Sequence, residues 1–372
     1  MLAYIHQFIR PLGASADEVM FENYGYEWSQ NGLFEAILTF DPSTSYVFST
    51  LIAVVYSIFE RNPFLIQLIG AFLGSFLLLY VYKMILIFTN SKRFSLTLTF
   101  FISILPSLNI ISILFLRDIY IIFFLIIFFY SYSKWLLSKK LNFFLYSLFF
   151  IILAGFFHGI LFLLIPLIII IEMIVLMSKL SFIIKFLVIK KYEFLILILT
   201  PIIFVSIIVA LFLGLGSSKL AQGQAIFEQD PRAIQKFAGE IIKTEADVVI
   251  YPSPEAFDFI SLILHIPERV AFFLTTPYPW MYSKITDIPR IWDSLIMIIL
   301  IIYLIINFKS FIQRKEFFIL FICILFLFTV FAFGSVETSS GTRHRLKVLV
   351  PFIILLMSFI YSKERELSNA RS

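Results

Sequence analysis

Long runs of Phe, Ile and Leu recur along the whole chain, broken by short basic connectors, and they leave this sequence one solvent in which it can fold, the lipid bilayer. About 20 apolar residues in helical form span the hydrocarbon core, with roughly 17–25 tolerated. By that measure the sequence predicts nine spans, near residues 63–89, 95–116, 119–137, 142–157, 159–177, 194–215, 292–308, 317–334 and 346–361. The expected fold class is all-α, a polytopic integral membrane protein. A lone strand cannot satisfy its backbone hydrogen bonds in lipid, and no alternating segments of about ten residues mark a barrel.

Composition excludes the other classes. Hydrophobic residues make up 60% of the 372 positions and charged residues 14%, with a mean hydropathy of +0.98, so a water-soluble fold would expose a large apolar surface. The formal net charge of +5 is scattered over short loops, as topology demands, so no nucleic-acid partner is expected. The single cysteine, Cys323, lies inside an apolar run and allows neither an internal disulfide nor a thiolate metal cluster. No metal and no cofactor are expected. His6, Gln7 and Arg10 interrupt the first ten residues, which therefore do not read as a signal peptide of the usual form.

The basic connectors fix an orientation. Lys92-Arg93, Lys134 with Lys139-Lys140, Lys179 to Lys191, Lys309 with Arg314-Lys315, and the tail with Lys363 and Arg365 all fall on one side of these spans, which should be cytoplasmic. The acidic segment 1–62 and the loop 216–291 then lie outside. Two further apolar stretches, Ser45–Phe59 and Phe257–Thr276, would throw the connectors onto alternating sides if they crossed. They are expected to lie along the outer membrane surface as interfacial helices. The expected organisation is an outer acidic loop with a juxtamembrane helix (1–62), a first bundle (63–215), an outer loop with an interfacial helix (216–291), and C-terminal helices with a tail (292–372). The segment 1–62 either crosses passively or follows a first helix that the present start omits, and the second is the expectation.

Charges that break the apolar pattern point to chemistry, because an ionisable group at the centre of a span costs about 2.5–3.5 kcal/mol on insertion scales. Arg117-Asp118 sit between two apolar runs at the outer end. Neighbours on a helix point about 100° apart, so each should seek a separate partner. The segment from Glu337 to Lys347 brings Arg343, His344, Arg345 and Lys347 into the last span from the outer side, against the charge rule. The Arg fork matches phosphate oxygens, so a lipid-borne phosphate is the expected partner. Asp17-Glu18 supply carboxylates on the same side, where one could serve as a general base. His158, in Gly155-Phe-Phe-His158-Gly159, stands at an outer junction between spans and reads more readily as a hydrogen-bonded structural residue than as a catalyst.

The outer acidic motif, the Arg-Asp near an outer helix end and the late Arg-rich motif resemble the GT-C superfamily of membrane glycosyltransferases. The likeness is to the branch holding lipid A aminoarabinose transferases and protein mannosyltransferases. The segment Pro267-Glu-Arg269 through Pro277-Tyr-Pro279-Trp280, with Gly-Thr-Arg-His-Arg, also looks like Wzy-type O-antigen or capsule polymerases. The resemblance implies an enzyme of a bacterial inner membrane, acting at the extracytoplasmic face in surface-polysaccharide synthesis. Its partners would be a polyprenyl-linked saccharide donor, a glycan or lipid-linked acceptor, and membrane lipids. It casts Asp17 or Glu18 as the base, Asp118 as the second acidic motif, and Arg343, His344 and Arg345 on the leaving phosphate. Arg117, Arg269 and Lys347 would assist, and Trp280 would stack on a sugar face. A saccharide-lipid flippase and a non-catalytic assembly subunit are the rival readings. A transporter should show mid-membrane charge and interrupted helices, and the sequence is read as showing neither.

Overall fold

A computed structural model describes residues 4, 5, 8, 16–41, 46–179, 259–281, 288–335 and 338–371. Among the described residues the secondary structure is helical throughout. In chain order the helices are α1 (Ala16–Ser29), α2 (Leu33–Leu38), α3 (Val47–Phe59), α4 (Pro63–Thr89), α5 (Lys92–Ser103), α6 (Pro106–Ile113), α7 (Asp118–Ser138), α8 (Leu141–Phe157), α9 (Leu164–Lys179), α10 (Phe259–Thr275), α11 (Ile288–Ile312), α12 (Lys315–Gly334) and α13 (Thr338–Arg371). Local chemistry sets several of these ends. Pro63 occupies the first turn of α4 behind Asn62, whose side chain accepts from the Leu65 amide, and Ser91 caps α5 through the Phe94 amide.

Five helices are long and apolar enough to cross a membrane: α4, α7, α11, and the apolar parts of α12 (Lys315–Ala332) and α13 (Ser340–Ser368). The chain is therefore an all-α, multi-pass membrane protein, and the described residues establish fewer than the nine spans expected. One difference is a break. The stretch expected as a span at 95–116 is the pair α5 and α6, bent by 61°. Pro106 lacks an amide proton and holds Leu105 away from helical geometry. The Asn109 side-chain amide then donates to the carbonyls of Ser103 (2.9 Å) and Leu105 (3.0 Å), tying the two sides of the break together. The second difference is length. His158, in extended backbone (φ −152°, ψ 95°), ends α8 after 17 residues, and a 3-10 turn (Gly159–Leu163) leads into α9. The span expected at 194–215 lies outside the described residues.

Helix α7 is the hub. It is buried along nearly its whole length and packs against α4, α8, α12 and α13. Gly70 lets the broken pair sit close to α4, since a Cβ there would lie 2.6 Å from the Ser112 carbonyl oxygen. Of the two stretches expected along the outer surface, α3 buries Phe48, Ile52 and Tyr56 against protein, with the Phe48 ring 5.3 Å from that of Tyr120. Helix α10 packs on α11, α12 and α13. Helices α1 and α3 are tied together: the Ser49 hydroxyl donates to the Phe21 carbonyl (3.1 Å), and Tyr56 donates to Glu22 (3.1 Å). Burial and the neighbouring Glu22 carboxylate push the Tyr56 hydroxyl well above its ordinary pKa. Arg61 grips the same carboxylate in a fork (2.9 and 2.7 Å), anchoring α1 to the entrance of α4.

The two ends of the bundle differ in charge. At one end Arg365 donates to the Thr89 carbonyl (3.3 Å), Lys363 to Asn307 (2.6 Å), and Arg314 to Ser362 (2.6 Å) and Glu366. Lys139 and Lys315 line one cavity there. At the other end Arg343 meets Asp17 and Asp118. Positions 343 and 365 are 22 residues apart on α13, about 33 Å at 1.5 Å per residue. The pair α5–α6 starts beside Thr89 and leads to Asp118, so it crosses from one end to the other as a broken span. Cysteines placed at Lys140 and Lys363 should accordingly share one accessibility and a cysteine at Glu27 the opposite one. With an impermeant maleimide on intact cells, the expected result is labelling at position 27 alone; labelling at 140 and not at 27 reverses the orientation.

Candidate functional site

The ends of α7 and α13 remote from the basic connectors meet beside α1, and this brings the charges of three distant segments together. Asp118 opens α7, where its carboxylate also faces the positive end of the helix dipole. Arg343, His344 and Lys347 lie within four residues on α13, so Arg343 and Lys347 share a face at i and i+4. Lys347 Nζ is 2.6 Å from Asp118 Oδ1, and both side chains are 1% exposed. Arg343 closes on the other oxygen, with Nε and Nη2 at 3.1 and 3.0 Å from Asp118 Oδ2. Its Nη1 donates to Asp17 Oδ2 at 3.0 Å, and Asp17 is 49% exposed.

The chain of contacts continues inward. Lys347 Nζ is 2.8 Å from His344 Nδ1 and lies over the Phe331 ring. His344 stacks on that ring and meets His158 edge to face at 5.2 Å. Six of the residues singled out from sequence (Asp17, Asp118, His158, Arg343, His344 and Lys347) thus form one connected path from half-exposed Asp17 into the bundle. Arg117 borders it, with its guanidinium carbon 5.5 Å from the centre of the Phe21 ring, and Glu18 is buried on α1.

The other three are placed differently. Arg345 points away from Arg343 and is fully buried. Its guanidinium donates to the carbonyls of Phe273 (3.3 Å), Leu274 (3.1 Å), Thr276 and Arg290 (3.3 Å) and to the Ser294 hydroxyl (2.9 Å). It joins the end of α10 to the start of α11. Arg269 donates to the carbonyls of Ala332 (2.8 Å) and Ser335 (2.5 Å), satisfying the end of α12. Both arginines face backbone oxygen. Trp280 is 78% exposed and stacks on Tyr278 at 4.8 Å.

Sequence reading passed over a buried pair elsewhere. Glu172, inside the run Ile168-Ile-Ile-Ile-Glu172, accepts from the Tyr132 hydroxyl at 3.0 Å, deep between α7 and α9. An ionisable residue in the middle of an apolar run was the available signal. Among the described residues no group of three or more His, Cys, Asp or Glu comes together to hold a metal ion. Comparison with family models, with curated protein sequences and with solved structures gives no match.

The two halves of the arrangement differ in kind. Removing Asp118 would leave the buried Lys347 uncompensated, at about 3–5 kcal/mol, whereas removing Arg343 leaves Asp118 paired with Lys347 and gives up an Asp17 contact worth roughly 0–1 kcal/mol. Arg343 is therefore held on its buried side and exchangeable on its exposed side.

Proposed function

We propose that the protein is a membrane glycosyltransferase or polymerase that uses polyprenyl-phosphate-linked or polyprenyl-pyrophosphate-linked saccharide at the extracytoplasmic face, in bacterial cell-surface polysaccharide synthesis. The observation that carries this reading is Arg343, fixed from behind by buried Asp118 and open in front only to the exposed Asp17. A substrate phosphate arriving at the outer surface takes the place of the Asp17 carboxylate on Nη1. Asp17, released, accepts the proton of the acceptor hydroxyl as that oxygen bonds to the sugar's anomeric carbon. The bond from that carbon to the phosphate oxygen breaks, and Arg343 with nearby Arg117 neutralises the phosphate that leaves. Lys347 and His344 hold Asp118 and the α13 surface in register. Arg345 and Arg269 set the positions of α10, α11 and α12 around the site.

One observation favours a second reading, translocation of the lipid-linked saccharide: the structure has an interrupted helix pair and a buried Glu172, features the sequence reading found absent. Mass spectrometry of polyprenyl-linked glycans in cells lacking the gene separates the two. Completed single repeat units at the outer face are expected for a polymerase, and truncated units for a single-sugar transferase. Units trapped at the cytoplasmic face identify a flippase and overturn the transfer reading.

A further inference from the structure

The helix that brings Asp17 to Arg343 carries a second pattern that the chemistry above does not use. Asp17, Phe21, Tyr24 and Trp28 follow one another on α1 at steps of four, three and four residues, which places them in one stripe. The stripe runs 11 residues, about 17 Å, from the charged site. Its character changes along the way. Asp17 meets Arg343; Phe21, 3% exposed, is packed into the core with Arg117 over its ring; then Tyr24 and Trp28 stack at 5.9 Å, and Tyr46 from the start of α3 closes edge-on to them at 5.0 and 6.4 Å. Tyr24 is 37% exposed and Trp28 half-buried, so the rings present a face to the outside while holding one another rigid. Exposed Asn23 and Glu27 flank this face, and α1 contains neither Lys nor Arg.

We propose a saccharide-binding track that leads from the reaction site, past Arg117 over the buried Phe21 ring, to a subsite formed by Tyr24, Trp28 and Tyr46 that takes the glycan of the acceptor or donor. The assignment rests on the transfer reading above and names the ligand class. Rigid aromatic rings offer flat apolar surfaces with polar edges at little cost in entropy, which suits the apolar faces of pyranose rings. The flanking amide and carboxylate accept hydrogen bonds from sugar hydroxyls. An anionic lipid headgroup would find no cation on α1 and would be repelled by Glu27, so the ordinary role of interfacial aromatics as a membrane belt fits this stripe less well. The track is long enough for more than one sugar ring, so the glycan beyond the reacting sugar contributes to binding.

The test is binding of phosphate-free oligosaccharides of one to three repeat units, prepared by partial acid hydrolysis of the cells' own surface polysaccharide, to the purified protein in detergent. Saturation-transfer NMR and calorimetry read the affinity. The expected result is binding to the wild type that grows with length. Tyr24→Ala and Trp28→Ala should each weaken it about five- to tenfold, while Trp28→Phe retains most of it and Trp292→Phe, an exposed aromatic on α11, leaves it unchanged. Wild-type protein that binds none of these oligosaccharides, or Tyr24→Ala and Trp28→Ala variants that bind as the wild type does, overturns the track. A Trp28→Ala variant that elutes as aggregate is replaced by Trp28→Leu, for which the same loss is expected. Failure of the transfer reading is seen separately, as unchanged glycan production by an Arg343→Ala variant, and does not depend on how the track variants bind.

Discussion

Asp118→Ala is expected to remove most of the protein from the membrane. The substitution leaves Lys347, 1% exposed, with no carboxylate and strips Arg343 of its buried partner. Leaving an uncompensated buried charge costs about 3–5 kcal/mol, a large part of the roughly 5–15 kcal/mol that holds an ordinary domain folded. The check is the amount of folded protein recovered in mild detergent and its thermal unfolding. Removing the charge on both sides separates pairing from mere occupancy. Asp118→Asn with Lys347→Met replaces the ion pair by neutral groups of similar size and should recover much of the loss, because Arg343 still has Asp17. An Asp118→Ala protein as stable as the wild type would contradict the buried pairing on which the site is built.

Arg343 and Arg345, two residues apart, are expected to fail in opposite ways. Arg343→Ala should leave the amount and stability of the protein near normal, since its exposed side faces Asp17 and Lys347 still neutralises Asp118. It should lower product formation about ten- to a hundred-fold, the effect of losing a charged contact of about 1.5–3 kcal/mol to the phosphate. Arg343→Lys keeps the charge and loses the fork, so it should already be impaired. Arg345→Ala should instead reduce the amount of folded protein, because it deprives the carbonyls of Phe273, Leu274, Thr276 and Arg290 of their donor at a buried helix junction. Parallel measurement of membrane protein level and glycan yield in the two variants distinguishes them. The same defect in both would show that the two arginines act as one cluster.

That contrast shows what was legible in the sequence. The apolar runs and their punctuation placed α4 and α7 almost to the residue, at 63–89 and 119–137 against Pro63–Thr89 and Asp118–Ser138. Hydropathy and a proline at the first turn are local properties. Pro106 announced the break between α5 and α6, but length alone read the stretch as a single span. Arg343, His344 and Arg345 looked like one basic motif because they are adjacent. On a helix, two residues apart means about 200° of rotation, so Arg345 faces carbonyls on the opposite side. The partner of Arg343 and Lys347 was out of reach of sequence reasoning, since Asp118 lies 225 residues from Arg343 and only the packing of α7 on α13 joins them. The cations of this motif were expected to need an external anion; two carboxylates of the same chain, Asp17 and Asp118, already face them.

The most direct test of the central claim is the pool of polyprenyl-linked glycans in cells whose only copy of the protein carries Arg343→Ala, measured by mass spectrometry alongside protein level. The account predicts normal protein and the accumulation of the same lipid-linked intermediate that builds up when the gene is deleted. A wild-type pool with normal protein would contradict it, and with it the assignment of Arg343 to the substrate phosphate.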